Sequence, residues 1–377
     1  MLIKEISARK IKDSRSEYTI EVSINGCKSS SPSGKSTGKY ETPCYHKSLD
    51  WNLKSINNFK ELKEIEINSF EDLKKVESLI KKKFKLKKVN SFGANALFAL
   101  ESAILKALAK NSKKELWEVV NNKSKKIPVP VGNIIGGGLH SHNEDHPVFQ
   151  EFLIIPQLKS AKRNFHLMQM IHKELGFIFK TKKVNDEGAW QTDADEISIL
   201  TVLSRLKNIK IGLDVAANSF YCEKKYEYKN KILDRNSQIF FMNNLIKDFN
   251  ILYLEDPLQE EDFSGFSKIN KKNLIVGDDL TVTHIERVKR AIKNNSINAM
   301  IVKPNQNGSL IQVKEICDFC KKNKIKIIVS HRSGETMDSA LADFAVAFGA
   351  DYIKCGISTK WRESKLKRLI EIENKIK

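Results

Sequence analysis

The sequence predicts an α/β barrel behind a small N-terminal α+β unit, and three observations carry that expectation. Short apolar runs recur, each closed by a polar or charged residue and followed by a helical stretch: Ile209–Asp214, Ile251–Glu255, Leu274–Asp278, Ala299–Lys303, Ile325–His331 and Asp351–Lys354. From Glu255 onward the closing residues stand 23, 25, 28 and 23 positions apart, which suffices for a strand, a loop, a helix and a return. The chemically potent side chain always falls at the same strand end. A closed barrel gathers such ends at one mouth, whereas an open sheet spreads them along a line.

Along the chain, Ile3–Ile24 reads as a strand pair with a turn near Asp13–Glu17, because Tyr18–Ile24 alternates with period two before the turn dipeptide Asn25-Gly26. Ser29–Thr42, rich in Ser, Gly and Lys, reads as a loop. Helical patterns follow over Leu53–Phe59, Phe70–Phe84 and Ala94–Ala109. The grammar changes to repeated βα units from Ile127, so residues 1–122 are expected to form an α+β capping domain and residues 123–377 the barrel. Helices over Ile285–Asn295, Leu310–Asn323, Glu335–Phe348 and Glu363–Ile376 carry apolar residues at spacings of three and four.

Composition bounds the function. The chain has 377 residues, 41% of them hydrophobic and 29% charged, which excludes collagenous and wholly disordered classes. No apolar run is long enough to span a membrane and Met1–Ser7 lacks a signal core, so a cytoplasmic location is expected. Six scattered cysteines fit free thiols in a reducing compartment. The net charge of +19 admits a polyanion partner, steering of a phosphorylated substrate, or a lysine-rich solvated surface. The run Lys81–Lys88 falls at a helix end, where cations suit the macrodipole and solvent.

Asp214, Glu255 and Asp278 close consecutive units. Three carboxylates at one mouth repel unless a cation sits among them, and an all-oxygen set suits a hard ion such as Mg²⁺. Helix capping would explain one such residue more readily than three in succession. Lys303 and Lys354 follow; two amines close together near divalent cations have lowered pKa values, which makes a general base, although salt bridges to the carboxylates are the plainer alternative. Ser330-His-Arg-Ser333 is expected to lead into a helix whose N-terminus, with the guanidinium and hydroxyl, forms a seat for phosphate or carboxylate.

Taken in order, Ser33-Gly-Lys-Ser-Thr-Gly38, Gly136-Gly-Gly-Leu-His140, Gln150-Glu-Phe152, Asp186-Glu-Gly188, Gly212–Ala217, Leu254-Glu-Asp-Pro257, Gly277–Thr281, Val302–Gly308 and Ser330–Thr336 resemble the motifs of the enolases. So do Ala8-Arg9 with Asp13-Ser-Arg15, and Phe92–Ala96, and the likeness runs through essentially the whole chain. It implies an N-terminal α+β cap on a modified eight-stranded TIM-type barrel. It also implies Mg²⁺-dependent interconversion of 2-phosphoglycerate and phosphoenolpyruvate in glycolysis and gluconeogenesis, with two Mg²⁺ per site. By the same resemblance Lys303 would be the base, and Glu187 assisted by Glu151 would protonate the leaving hydroxyl. Asp214, Glu255 and Asp278 would hold the first metal, and Ser36 the second. Arg332 and Ser333 would clamp the phosphate, His140 and His331 would close around the substrate with Gln150 in the same site, and Lys354 would contact the substrate carboxylate. A homo-oligomer, dimer or higher, is implied as well.

The chain departs from the usual pattern in several places. Lys35 stands where Ala is usual, which sets an extra cation beside the second metal or the phosphate. Asp13–Tyr18 lacks the Gly-Asn-Pro turn, Gly188-Ala-Trp190 replaces Gly-Gly-Phe, and Ser358–Arg362 replaces Ala-Arg-Ser-Glu-Arg. The cap is shortened between Asp50 and Phe92, and the stretch His140–Gln150 is longer, leaving His140 and His142 as alternatives for the loop histidine. Other motifs carry less: Ser33-Gly-Lys-Ser36 lacks the first Gly and the helix of a phosphate-binding loop. Cys317 and Cys320 share a helix with no second pair. His140, His142 and His146 suggest a soft-metal cluster less well than a substrate loop. Two other functions compete: a paralogue acting on another α-hydroxy or phosphorylated acid, and a catalytically silent nucleic-acid-binding paralogue, which lacks a recognition motif.

Overall fold

The computed structural model describes residues 1–35, 39–141 and 143–377. Its N-terminal sheet pairs β1 (Ile6–Lys12) with β2 (Tyr18–Ile24) from Ile6↔Ile24 to Lys12↔Tyr18, as the alternation predicts. The turn after β2 has φ of 48° at Asn25 and 77° at Gly26, the two positive values that a type I′ turn requires. That turn sends back a third strand, β3 (Cys27–Ser30), in a stretch where a loop was expected to begin.

Helix α1 (Leu49–Asn57) begins earlier than the apolar pattern suggests, because the Ser48 hydroxyl accepts the Trp51 N–H at 3.1 Å and caps it. Helix α2 (Leu73–Lys83) ends on exposed Lys81, Lys82 and Lys83, a solvated helix end. Helix α3 (Ala94–Ser112) is apolar on all sides and buried through most of its length, packing on the small sheet with one face and on the barrel with the other. The short α4 (Leu116–Asn121) leads into the barrel.

The barrel opens with β4 (Val129–Gly136) and β5 (Glu151–Pro156), which pair antiparallel and have only the single 3-10 turn Gly138–His140, and no α-helix, between them among the described residues. Repeated βα grammar therefore starts later than expected. There follow α5 (Ala161–Ile178), β6 (Trp190–Gln191), α6 (Glu196–Leu203), β7 (Ile209–Asp214) and a three-stranded excursion of β8 (Tyr221–Cys222), β9 (Lys225–Tyr228) and β10 (Lys231–Leu233). The remaining units are α7 (Arg235–Phe249), β11 (Tyr253–Glu255), α8 (Phe263–Phe266), β12 (Leu274–Gly277), α9 (Ile285–Lys293), β13 (Ala299–Val302), α10 (Pro304–Asn307), α11 (Leu310–Lys322), β14 (Lys326–Ser330), α12 (Ala340–Ala347), β15 (Tyr352–Lys354) and α13 (Lys360–Ile376).

Strands β4, β5, β7, β11, β12, β13, β14 and β15 pair in sequence and β15 closes on β4, giving the eight-stranded barrel. Strand β5 runs against both neighbours, which is the modification of the TIM-type pattern. Because side chains alternate along each strand, one inward set is an apolar plug: Val131, Leu153, Ile155, Tyr253, Val276, Ala299, Ile301 and Ile328 are buried together. The inward set one step toward the strand ends is charged. Cap and barrel meet where Gly308, at φ +91°, lies so near α3 that a Cβ would stand 2.7 Å from Ala94 Cα. Only glycine accepts that conformation and that approach together.

Candidate active site

The charged layer rims a cavity of about 370 Å³ lined by residues from the cap loop and from the strand ends. Lys354, last residue of β15, reaches to the centre of one side. Its ammonium lies 2.8 Å from Asp214 Oδ2, 2.9 Å from Glu255 Oε2 and 3.0 Å from Glu151 Oε2. Asp214 and Glu255 end their strands, but Glu151 begins β5. It reaches the mouth because β5 runs in reverse and pairs Glu151 with Asp214. Gln150, one residue earlier, donates from Nε2 to Asp214 Oδ2 at 3.4 Å.

The other side is built from the ends of β12 and β13. Lys303 Nζ lies 2.5 Å from Asp278 Oδ2. Asp256, Asp278 and Asp279 each offer an oxygen within 4.8 Å of the others. Asp256, at φ 40°, accepts the N–H groups of Asp278 and Asp279 at 3.0 and 2.7 Å, which turns the neighbouring acids together. Burial and the like charges of Asp279 and Asp278 push the Asp256 carboxyl well above its usual range. Burial and Asp278 push Asp279 up to about 7, against the pull of Lys303. Asp278 Oδ1 is buried with no hydrogen-bond partner among the described residues. Three carboxylates that cannot all ionise, with an unpaired oxygen and no sulfur donor, fit a hard divalent cation.

The lysine expectation needs correction. Burial favours neutral amines, but Asp214, Glu151 and Glu255 outweigh it at Lys354, whose pKa rises well above the ordinary range. Asp278 outweighs burial at Lys303, which is also raised. Proximity to carboxylates, not mutual repulsion, governs both. The salt-bridge reading of these lysines accordingly describes this structure.

A third group forms the far wall. His140 Nδ1 lies 3.6 Å from Glu151 Oε1 and His331 Nε2 lies 3.7 Å from Glu187 Oε2. Glu187 also accepts from Asn133 Nδ2 at 3.2 Å and faces Arg362 at 3.8 Å. Burial would raise its pKa, but His331, His140 and Arg362 hold it below the usual carboxylate range. Glu151 goes the other way, raised by burial. Burial pushes the His331 pKa down, against the pull of Glu187 and reinforced by Arg362, Lys354 and Lys303. His140 is pulled down by burial, but Glu151, Glu187 and Asp214 together pull it up further, for a net rise. His146 turns instead to the Pro147 carbonyl at 2.9 Å and takes no part. His142 and Ser36, both named from the sequence, lie outside the described residues.

Arg332 donates from Nη2 to Glu41 Oε1 at 2.7 Å, while its buried Nη1 has no partner among the described residues. Ser333 Oγ accepts the Lys35 N–H at 2.7 Å. The helix expected to begin at Glu335 starts only at Ala340, so its N-terminus does not contribute to this seat. The intervening residues bind the cap instead: Gly334 and Ser33 exchange two backbone hydrogen bonds of 2.9 and 2.7 Å, and the Ser14 N–H donates to the Glu335 carbonyl at 2.7 Å. Asp256, Asp279, Glu41, Asn133 and Arg362 were not singled out from the sequence. The doubled acids Glu255-Asp256 and Asp278-Asp279 were the available signal for the first two.

Comparison with known proteins agrees with this architecture. The family described as "Enolase, N-terminal domain" matches residues 3–120, and "Enolase, C-terminal TIM barrel domain" matches residues 124–377. The chain is 36% identical over 402 residues to the enolase of Picrophilus torridus, covering 99% of both chains. It is 34% identical to that of Archaeoglobus fulgidus, covering 99% of this chain and 97% of the relative. With the enolase of Sulfurisphaera tokodaii it shares 38% identity over 302 residues, covering 75% of this chain and 72% of the relative.

Proposed function

The chain belongs to the enolase family, and from that premise we propose that the residues around the mouth divide into a base half and an acid half. The protein is a phosphopyruvate hydratase, a hydro-lyase of glycolysis that interconverts 2-phosphoglycerate and phosphoenolpyruvate. The observation that supports the division is the placement of Lys303 beside Asp278 on one side of the cavity and of Glu187, Glu151 and His140 on another. A silent nucleic-acid-binding protein would call for neither half, and a paralogue for another acid is disfavoured by the family match rather than by the geometry.

On this reading Lys303 takes the proton from the carbon next to the substrate carboxylate. It can do so only after surrendering its own proton and its pairing with Asp278. Glu187, held ionised at rest, first takes up a proton, with the raised carboxyl of Glu151 behind it as the source, and passes it to the departing hydroxyl, so water leaves with the atoms in balance. The paired His140–Glu151 and His331–Glu187 contacts keep both histidines facing the cavity, where they close on the substrate. The free Nη1 of Arg332 and the Ser333 hydroxyl bind the phosphate, Lys354 meets the carboxylate, and Gln150 lies beside it. Asp214, Glu255 and Asp278 would hold one Mg²⁺ and Ser36 would contribute to a second; such ions would supply positive charge to offset the negative charge that builds on the carboxylate. The cap comprises residues 1–122 and the catalytic barrel residues 123–377, the protein is cytoplasmic, and it works as a homo-oligomer.

Lys303→Ala tests the base assignment. Turnover should fall about 10²- to 10⁴-fold, with Mg²⁺ binding retained in a calorimetric titration. Turnover within a few-fold of the wild type would sink the assignment.

A further inference from the structure

Beneath the charged layer, the apolar plug of the barrel contains one aromatic hydroxyl. Tyr253 and Glu255 lie two residues apart on β11, so both point inward, one above the other. Tyr253 is wholly buried and its ring packs among Leu153, Val276 and the rest of the plug. The strand pairing sets Gly212 of β7 opposite Tyr253, and a Cβ there would stand 3.2 Å from Tyr253 Cβ and 3.3 Å from Cδ1. The missing side chain is what gives the ring its room. From this position the phenol donates a short hydrogen bond to Glu255 Oε2, and the Lys354 ammonium contacts both Glu255 oxygens at 3.0 and 2.9 Å.

We propose that Tyr253 is a positioning residue for Glu255: its phenol, anchored in the barrel plug, fixes the orientation of the carboxylate and thereby sets the affinity of the mouth for a divalent cation. The inference rests on the reading of Glu255 as a metal ligand. A carboxylate on a glutamate stem has several torsions to settle, and a hydrogen bond from a fixed donor removes that freedom before the cation arrives. Groups that orient a ligand in this way commonly change metal affinity about ten- to a hundredfold when they are removed. A phenol buried in a plug of aliphatic side chains also needs a partner, since an unsatisfied hydroxyl is costly there. The bond is thus secured from both ends: Glu255 is the acceptor the phenol requires, and Tyr253 is the donor that holds the carboxylate still.

The experiment is a calorimetric titration of Mg²⁺ into the substrate-free protein, comparing the wild type with Tyr253→Phe and Glu255→Gln. The proposal expects Tyr253→Phe to weaken Mg²⁺ binding about ten- to a hundredfold, while Glu255→Gln weakens it further. If Glu255→Gln weakens binding and Tyr253→Phe leaves it within twofold of the wild type, the positioning role is wrong and the ligand reading survives. If Glu255→Gln binds as the wild type does, both fall together. Should Tyr253→Phe fail to fold, the near-ultraviolet difference spectrum of the wild-type protein decides: Mg²⁺ should perturb tyrosine absorbance along the calorimetric binding curve. A flat tyrosine spectrum through saturation overturns the proposal.

Discussion

The barrel mouth and the seam between cap and barrel both bury carboxyl groups, and they compensate them by opposite means. At the mouth Glu151, Asp214 and Glu255 converge on the ammonium of Lys354 and remain within its reach. At the seam Glu77 of α2 and Glu101 of α3 face one another with no lysine between them. The Ser309 hydroxyl donates to Glu77 and the Leu310 N–H donates to Glu101 at 2.7 Å. Burial and the neighbouring Glu77 push Glu101 well above the carboxylate range, and burial raises Glu77 as well, despite Lys81 nearby. The seam therefore keeps a proton between two acids and behaves as a hydrogen bond of the fold. The mouth instead sets its acids against the fixed ammonium of Lys354, an opposite charge that the seam lacks.

Removing the cation from the mouth should have the largest effect. Lys354→Met leaves three buried carboxylates without their counter-charge, and breaking a buried pair in this way costs about 3–5 kcal/mol. Thermal unfolding in the presence of a chelator should register that loss. Added Mg²⁺ should then raise the stability of the variant more than that of the wild type, because an ion can take over part of the lost compensation. Equal responses of the two proteins to Mg²⁺ would break the comparison with the seam.

Removing the proton from the seam should act in the other direction and more weakly. Glu101 has a folded pKa above its unfolded one, so unfolding releases a proton between the two values and wild-type stability declines as pH rises through that window. Glu101→Gln keeps the shape, accepts from Leu310 and donates to Glu77, but has nothing to release. It should be about 1–2 kcal/mol more stable than the wild type near neutral pH. The gap should close as pH falls below the ordinary carboxyl value, where the wild type is protonated in both states. Calorimetric melting at about pH 8 and about pH 4 checks the sign. A gap that is the same at both would show that the seam pair is ionised after all.

The contrast also explains what could be read from the sequence. Strands ending at Asp214, Glu255, Asp278, Lys303, His331 and Lys354 were legible because buried parallel strands leave apolar runs and barrels collect their ends. The arrival of Glu151 at the mouth was not, since alternation says nothing of strand direction and β5 runs backwards. The charge on the two lysines was hidden for a related reason. Sequence spacing placed them near each other, but how many carboxylates each one meets depends on side chains from β5, β7, β11 and β12 together. Asp256 and Asp279 are not legible because an acid beside another acid reads as a solvated neighbour; here a positive φ turns Asp256 inward and its carboxylate accepts the Asp279 N–H. The helix expected at Glu335 starts late because residues 332–336 are spent on contacts with the cap, a partner distant in sequence.

The smallest expected effect lies at the rim, where the mouth's logic of charge compensation meets solvent. Lys35 is exposed, its N–H bonded to Ser333 Oγ at 2.7 Å and its ammonium 3.4 Å from the Leu139 carbonyl, so it stands beside the proposed phosphate seat rather than inside it. A unit charge about 4 Å from another in water is worth about 1 kcal/mol, which corresponds to about fivefold in binding. Lys35→Ala should therefore raise KM for the phosphorylated substrate by no more than about fivefold, with kcat little changed. Because the charge is exposed, the difference should shrink as salt shortens the screening length from about 8 Å at physiological ionic strength to about 3 Å at 1 M. The backbone bond to Ser333 survives the substitution, so any loss that persists at high salt would mean that the lysine side chain also shapes the loop. A KM that is unchanged at low salt would place the ammonium outside the field of the phosphate altogether.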